Sequence, residues 1–218
     1  MACETARVTA ASSSFLVLAA VFAVLDWVAV ARGSSRMEYV AKPAATAMFL
    51  AAAAMLDVEH GAAWVLLLMA LVCCVAGDVF LMLPRDAFVP GLASFAVAQV
   101  LFAASFVAGG LSARGLVAGV VVAGPVAALL ARRFIGALRG MGRTGLVAPV
   151  ATYMLLIAAM AMAAAGSGSP VAVAGAASFM VSDSLIAESR FVAASRWHPV
   201  AIMVTYHAAL AGLVLGLR

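Results

Sequence analysis

The chain has 218 residues, 67% of them hydrophobic and 10% charged, with a formal net charge of +4. Soluble domains carry about 25% charged residues, and no soluble fold of this length hides so much apolar surface. Long apolar runs without strand-like alternation exclude a barrel. What remains is an all-α polytopic membrane protein, whose helices satisfy their own backbone hydrogen bonds in lipid.

A span needs about 20 mostly apolar residues. Eight transmembrane helices are predicted, at 9–31, 39–56, 62–83, 89–109, 115–131, 146–165, 171–187 and 199–217, within one transmembrane domain covering 1–218. The first run ends in Ala29-Val30-Ala31 but is too long for a signal segment, and Arg32 and Arg36 follow it, so it is expected to stay as a span. Connections are short, so sequence neighbours are expected to pack antiparallel.

Loop arginines set the expected orientation. Arg32, Arg36, Arg85, Arg132, Arg133, Arg139, Arg143, Arg190 and Arg196 fall on one side, and Arg7, Arg114 and Arg218 on the other. The arginine-rich side is expected in the cytoplasm, with both termini non-cytoplasmic. Pro43-Ala44-Ala45-Thr46-Ala47-Met48 and Pro149-Val150-Ala151-Thr152-Tyr153-Met154 are offset by 106 residues, and Asp78 and Asp183 by 105. These offsets mark a candidate parallel tandem repeat of four helices.

Ionisable groups inside spans are functional-site candidates by default. Here they are Asp26, Lys42, Asp78 and Asp183, each near the arginine-rich end of its predicted helix. At 1.5 Å rise per residue, the three carboxylates are expected about 6–8 Å below that boundary. Gln99, Tyr153, Ser182, Ser184, Tyr206 and His207 extend the layer inward. Helices 1–4 and 6–8 are expected to line one cavity, with Asp78 and Asp183 facing each other across it. The fifth span offers only small and apolar residues and is expected at the periphery.

Blander readings stand beside these. Lys42 can snorkel to the headgroups, Asp26 beside Trp27 can pair with an interfacial arginine, and Gln99 and His207 can serve helix–helix hydrogen bonds. Asp57, Glu59 and His60 read as a solvated outer turn. Cys3, Cys73 and Cys74 read as small apolar fillers, with neither a disulfide nor a zinc spacing. Gly212-x-x-x-Gly216 and Gly119-x-x-x-Ala123 read as close helix packing.

Lys42-Pro43, Gly77-Asp78 and Ser182-Asp183-Ser184, in this order on an eight-span chain, resemble the lysoplasmalogenase (YhhN-like) family. The resemblance implies a membrane hydrolase that cleaves the vinyl ether of lysoplasmalogens to a fatty aldehyde and a glycerophospho-base. By position it implies roles for Asp78, Asp183, Lys42, Ser182 and Tyr206. This chain departs by carrying Gln99 where a histidine is expected, which leaves no proton-transfer group there.

The residues suit that chemistry. Acid hydrolysis of a vinyl ether needs a proton donor and a nearby anion that stabilises an oxocarbenium-like cation and activates water. Two carboxylates in a low-dielectric pocket, with a cation such as Lys42 beside them, divide those roles. Asp78 and Asp183 are the expected catalytic pair, with their roles left open. Lys42, Ser182, Tyr206, Gln99, Asp26 and His207 are the expected substrate-binding or tuning residues. Arg85 and Arg190 are candidate phosphate contacts, and Phe80, Met82, Phe179 and Met180 candidate acyl-slot residues. No metal and no cofactor are called for. The expected partners are a lysophospholipid and the bilayer, without nucleic acid. The membrane would be endoplasmic reticulum in a eukaryote or the inner membrane in a bacterium. Rival readings are a proton-coupled transporter using the Asp pair and a non-catalytic lipid-binding protein.

Overall fold

The structure is a computed structural model that describes residues 8–83 and 87–217. Arg7 and Arg218 of the charge comparison, Cys3, and Arg85 with its expected phosphate contact lie outside the described residues. The elements are α1 (Ala10–Ala31), α2 (Ser35–Ala54), α3 (Ala62–Met82), α4 (Phe88–Gly109), α5 (Ala113–Gly140), a 3-10 turn (Thr144–Leu146), α6 (Val147–Gly166), α7 (Pro170–Phe191) and α8 (His198–Leu215). Among the described residues these are eight helices and no strand.

Seven of the eight are long and apolar enough to cross a membrane, and the chain is an integral membrane protein. The remaining helix, α2, has 20 residues and carries Arg36, Glu38 and Lys42 near its start. Helix starts follow from capping. Thr9, Ser112 and Ser169 each accept a backbone N–H from the first turn of α1, α5 and α7, and Pro170 at the start of α7 needs no hydrogen-bond partner there. Gly33, at φ 64°, makes the tight turn between α1 and α2.

Three expected spans are corrected at their ends. Helix α2 begins at Ser35, so Lys42 lies two turns inside it. Helix α5 continues past 131 to Gly140, and α7 past 187 to Phe191. Charges end an apolar run but not a helix, because Arg and Glu are good helix formers.

Helices α1, α2, α3, α4, α6, α7 and α8 contact one another in that order, and α8 closes the ring on α1. Helix α5 stands outside, against α6 and α7, with Val117, Val120, Val121, Val122 and Leu129 exposed. Around the ring, α2–α4 and α6–α8 each follow in chain order, while α1 lies between α8 and α2 and α5 lies outside.

The helix ends are tied as hairpins. The Tyr39 hydroxyl donates to the Met82 carbonyl, joining the start of α2 to the end of α3. On the opposite side, Thr9 Oγ1 donates to Met55 O at 2.8 Å. The α7–α8 seam is close: a Cβ on Gly212 would lie 2.6 Å from Gly175 Cα, and one on Gly216 would lie 2.5 Å from Ala172 N. Gly119 similarly lets α5 approach α6, where a Cβ would lie 2.9 Å from Met162 Cα. Both small-residue motifs thus mark close packing.

Candidate active site

The local geometry starts at Gly77. A Cβ there would lie 2.6 Å from the Phe95 ring, so only glycine lets that ring lie flush against α3. Phe95 packs edge-on to Tyr206 and Phe179, with ring centroids 5.9 and 6.2 Å away, and Phe179 meets Tyr206 at 5.7 Å. This aromatic cluster occupies the middle of the ring of helices.

Asp78 follows Gly77 and is fully buried. Its Oδ2 accepts from Thr46 Oγ1 at 2.6 Å and from the Tyr206 hydroxyl at 2.9 Å. Its Oδ1 lies 3.6 Å from Lys42 Nζ. Lys42 and Thr46 are one turn apart on α2, so both face α3. Lys42 is only 5% exposed. The buried ion pair, rather than snorkelling, is its observed environment.

Two further groups join this set. Asp26 on α1 is 0% exposed, and Lys42 is the strongest charged influence on it. No hydrogen-bond donor meets either of its oxygens among the described residues. Its expected interfacial alternative does not describe this position. Trp27 Nε1 donates to His207 Nδ1 at 2.9 Å. An indole nitrogen only donates, so His207 carries its proton on Nε2, which is buried.

Asp183 lies in a second set. Its Oδ2 accepts from the Tyr153 hydroxyl at 2.5 Å, and Gln99 sits beside that hydroxyl. Asp183 lines a cavity of about 40 Å³ together with Leu81, Phe88, Phe95, Tyr153 and Phe191. That volume holds water, not a lipid.

The single expected cavity is therefore two sets of polar groups. Asp26, Lys42, Asp78, Tyr206 and His207 gather between α1, α2, α3 and α8, while Gln99, Tyr153 and Asp183 gather between α4, α6 and α7. The two carboxylates each hold a tyrosine hydroxyl, and no hydrogen bond joins them among the described residues. Phe95 connects the sets, touching Tyr206 and lining the Asp183 cavity. Buried Cys74 lies within electrostatic range of both carboxylates. Counted from helix ends, Asp78 is four residues inside α3 and Asp183 eight inside α7, because α7 is longer than expected.

Ser182 is placed differently from the other expected residues: its hydroxyl donates to Ile202 O at 3.0 Å and ties α7 to α8. Ser184 donates to its own helix at Met180 O, 2.6 Å away. Phe179 is core, Phe80 is exposed, and Met180 lines a separate apolar groove of about 740 Å³ between α5 and α7. Sequence reasoning missed Thr46 as an Asp78 partner, and the available signal was its i+4 spacing from Lys42. It also missed Trp27 as the donor to His207.

Comparison with known proteins adds the following. The profile of the YhhN family matches residues 37–217. The chain is 34% identical over 140 residues to the Homo sapiens lysoplasmalogenase TMEM86B, an alignment covering 64% of this chain and 58% of that relative. The chain thus spans less than two thirds of that relative's length. No solved structure matches the chain.

Proposed function

Because the chain belongs to the YhhN family, we propose that it is a membrane-embedded hydrolase that cleaves the vinyl ether of lysoplasmalogens. The observation that carries this reading is the pair of buried carboxylates, Asp78 and Asp183, each hydrogen-bonded to a tyrosine hydroxyl from another helix. The name of the TMEM86B relative supports the substrate class.

The surroundings of the two acids suit different roles. Asp78 has the Lys42 ammonium and two hydroxyl donors, a setting built for an anion. Asp183 has one hydroxyl partner and lines the cavity, where it delivers a proton. That proton adds to the vinyl carbon remote from the ether oxygen. The oxocarbenium-like cation that results is stabilised by the field of Asp78. Water in the cavity adds to the cation and returns a proton to Asp183. The hemiacetal then collapses to aldehyde and the glycerol hydroxyl. Lys42, Thr46 and Tyr206 hold Asp78, while Tyr153 holds Asp183. Asp26 and His207 complete the charge environment of Lys42. The lipid enters from the arginine-rich, cytoplasmic side by widening the cavity mouth.

The test gives purified protein a lysoplasmalogen and, separately, its saturated-ether analogue, and measures free aldehyde. Aldehyde is expected from the vinyl ether alone, with a loss of about 100-fold or more in Asp78→Asn and Asp183→Asn proteins that remain folded. No aldehyde from folded wild type would overturn the reading and leave the acids to a transport or lipid-binding role.

A further inference from the structure

The cavity beside Asp183 is sized for water, so a lipid cleaved there needs room for its chain elsewhere. The adjoining flank of α7 offers that room. It is the apolar groove of about 740 Å³ between α5 and α7, floored by small residues of α6 such as Ala161. Its walls run from Gly115 to Arg133 on α5 and from Pro170 to Glu188 on α7. Each wall rises by roughly 27 Å, so the space is a long slot and not a compact hollow. Val126 and Val173 on the walls are exposed, so the slot opens sideways to the bilayer.

We propose that this slot seats the hydrocarbon tail of a single-chain ether glycerophospholipid while the ether lies at Asp183. The proposal rests on the hydrolase reading for the position of the ether. Met180 joins the two spaces. It lines the slot and stands one turn before Asp183 on the same flank of α7, and its unbranched side chain can swing aside. The polarity of the slot matches an amphiphile. At its arginine-rich end, where a headgroup stays, Arg133 pairs with Glu188 at 2.6 and 2.8 Å and spans from α5 to α7. Toward the other end the lining side chains are apolar except Ser184 and Ser169, whose hydroxyls bond the backbone of α7 itself.

Length supports the fit. Asp183 and Pro170 are thirteen residues apart on α7, a rise of roughly 20 Å. A tail of about sixteen carbons has roughly fourteen beyond the vinyl pair, or about 18 Å when extended. A tail that leaves Asp183 past Met180 therefore ends inside the slot, near Gly115 and Pro170. This gives α5 a function although it stands outside the ring: it is the wall that separates the tail from bulk lipid.

The experiment photolabels the protein in diacyl-lipid nanodiscs with saturated-ether lysophospholipids, which are not turned over. One probe carries a diazirine close to the ether and a second carries it at the chain end. The first is expected to label the 180–184 segment of α7, and the second the starts of α5 and α7 around Gly115 and Pro170. Unlabelled lysophospholipid is expected to compete with both. Ala177 is an exposed residue of the slot wall, and Ala177→Trp removes contacts along the far half of the tail. It is expected to cut chain-end labelling about five- to tenfold, while Val121→Trp on the outer face of α5 leaves it within about twofold. Val126→Trp blocks the slot from the opposite wall and decides the matter if Ala177→Trp fails to fold. Label spread evenly over lipid-facing residues, label that unlabelled lipid does not displace, or label unchanged by a folded slot variant overturns the proposal. Slot labelling of a protein that releases no aldehyde would sink the hydrolase and keep the tail site. Aldehyde release without slot labelling would do the reverse.

Discussion

At the scale of single residues, the site is governed by who holds Asp78. Its pairing with Lys42 is buried, and removing one partner of a buried pair costs about 3–5 kcal/mol. Lys42→Met is expected to lower stability strongly, since it leaves Asp78 and Asp26 without their cation. Asp26→Asn removes a charge whose oxygens have no donor among the described residues, and it is expected to leave the thermal midpoint nearly unchanged. Thermal unfolding of both variants in detergent checks this contrast. Thr46→Val deletes the 2.6 Å hydrogen bond to Asp78 and is expected to reduce aldehyde release about tenfold, with Thr46→Ser retaining it. Gly77→Ala forces the Phe95 ring away from α3; activity should fall more than stability, and a second change, Phe95→Leu, should restore part of it. The polar residues were legible in the sequence because each is costly in lipid. Thr46 was not, because a lone threonine in a helix usually bonds its own backbone, and here its hydroxyl also lies 3.4 Å from Lys42 O.

At the scale of elements, glycines decide which helices can touch. Gly175→Val or Gly212→Val would drive side chains into backbone atoms within 3 Å, at an expected cost of about 2–3 kcal/mol or loss of folding. A Cβ on Gly136 of α5 meets nothing within 4 Å, so Gly136→Ala is expected to stabilise by about 0.5–1 kcal/mol. Denaturation series on the three variants separate the two cases. Helices themselves were readable as apolar runs. Their true ends at Gly140 and Phe191 were not, since hydropathy reports where lipid stops and not where i→i−4 bonding stops. The division of the polar residues into two sets was also hidden. Sequence position fixes how deep a side chain lies along its helix, while the neighbour it meets depends on the ring order, in which α4 contacts α6 and α5 is left out.

For the whole molecule, the arginine distribution predicts a side as well as a fold. Single cysteines at Ser34 and Gly110, in a background without other cysteines, sit at opposite ends of the bundle. A membrane-impermeant thiol reagent added to intact cells is expected to label the Gly110 site and to reach the Ser34 site only after permeabilisation. The reverse pattern would place the Asp183 cavity on the other face of the membrane.

Ring closure by α8 has a consequence for biogenesis. Lys42, Thr46 and Asp78 enter the bilayer early in synthesis, yet Tyr206 and His207, which contact Asp78 and Trp27, arrive on the last helix. Until then, the nascent α1–α3 segment carries its charges toward an unfinished seam. A chain truncated before α8 should therefore be cleared by quality-control proteases within a much shorter half-life than the full chain, as a pulse–chase would reveal, and supplying α8 as a separate peptide should prolong its survival.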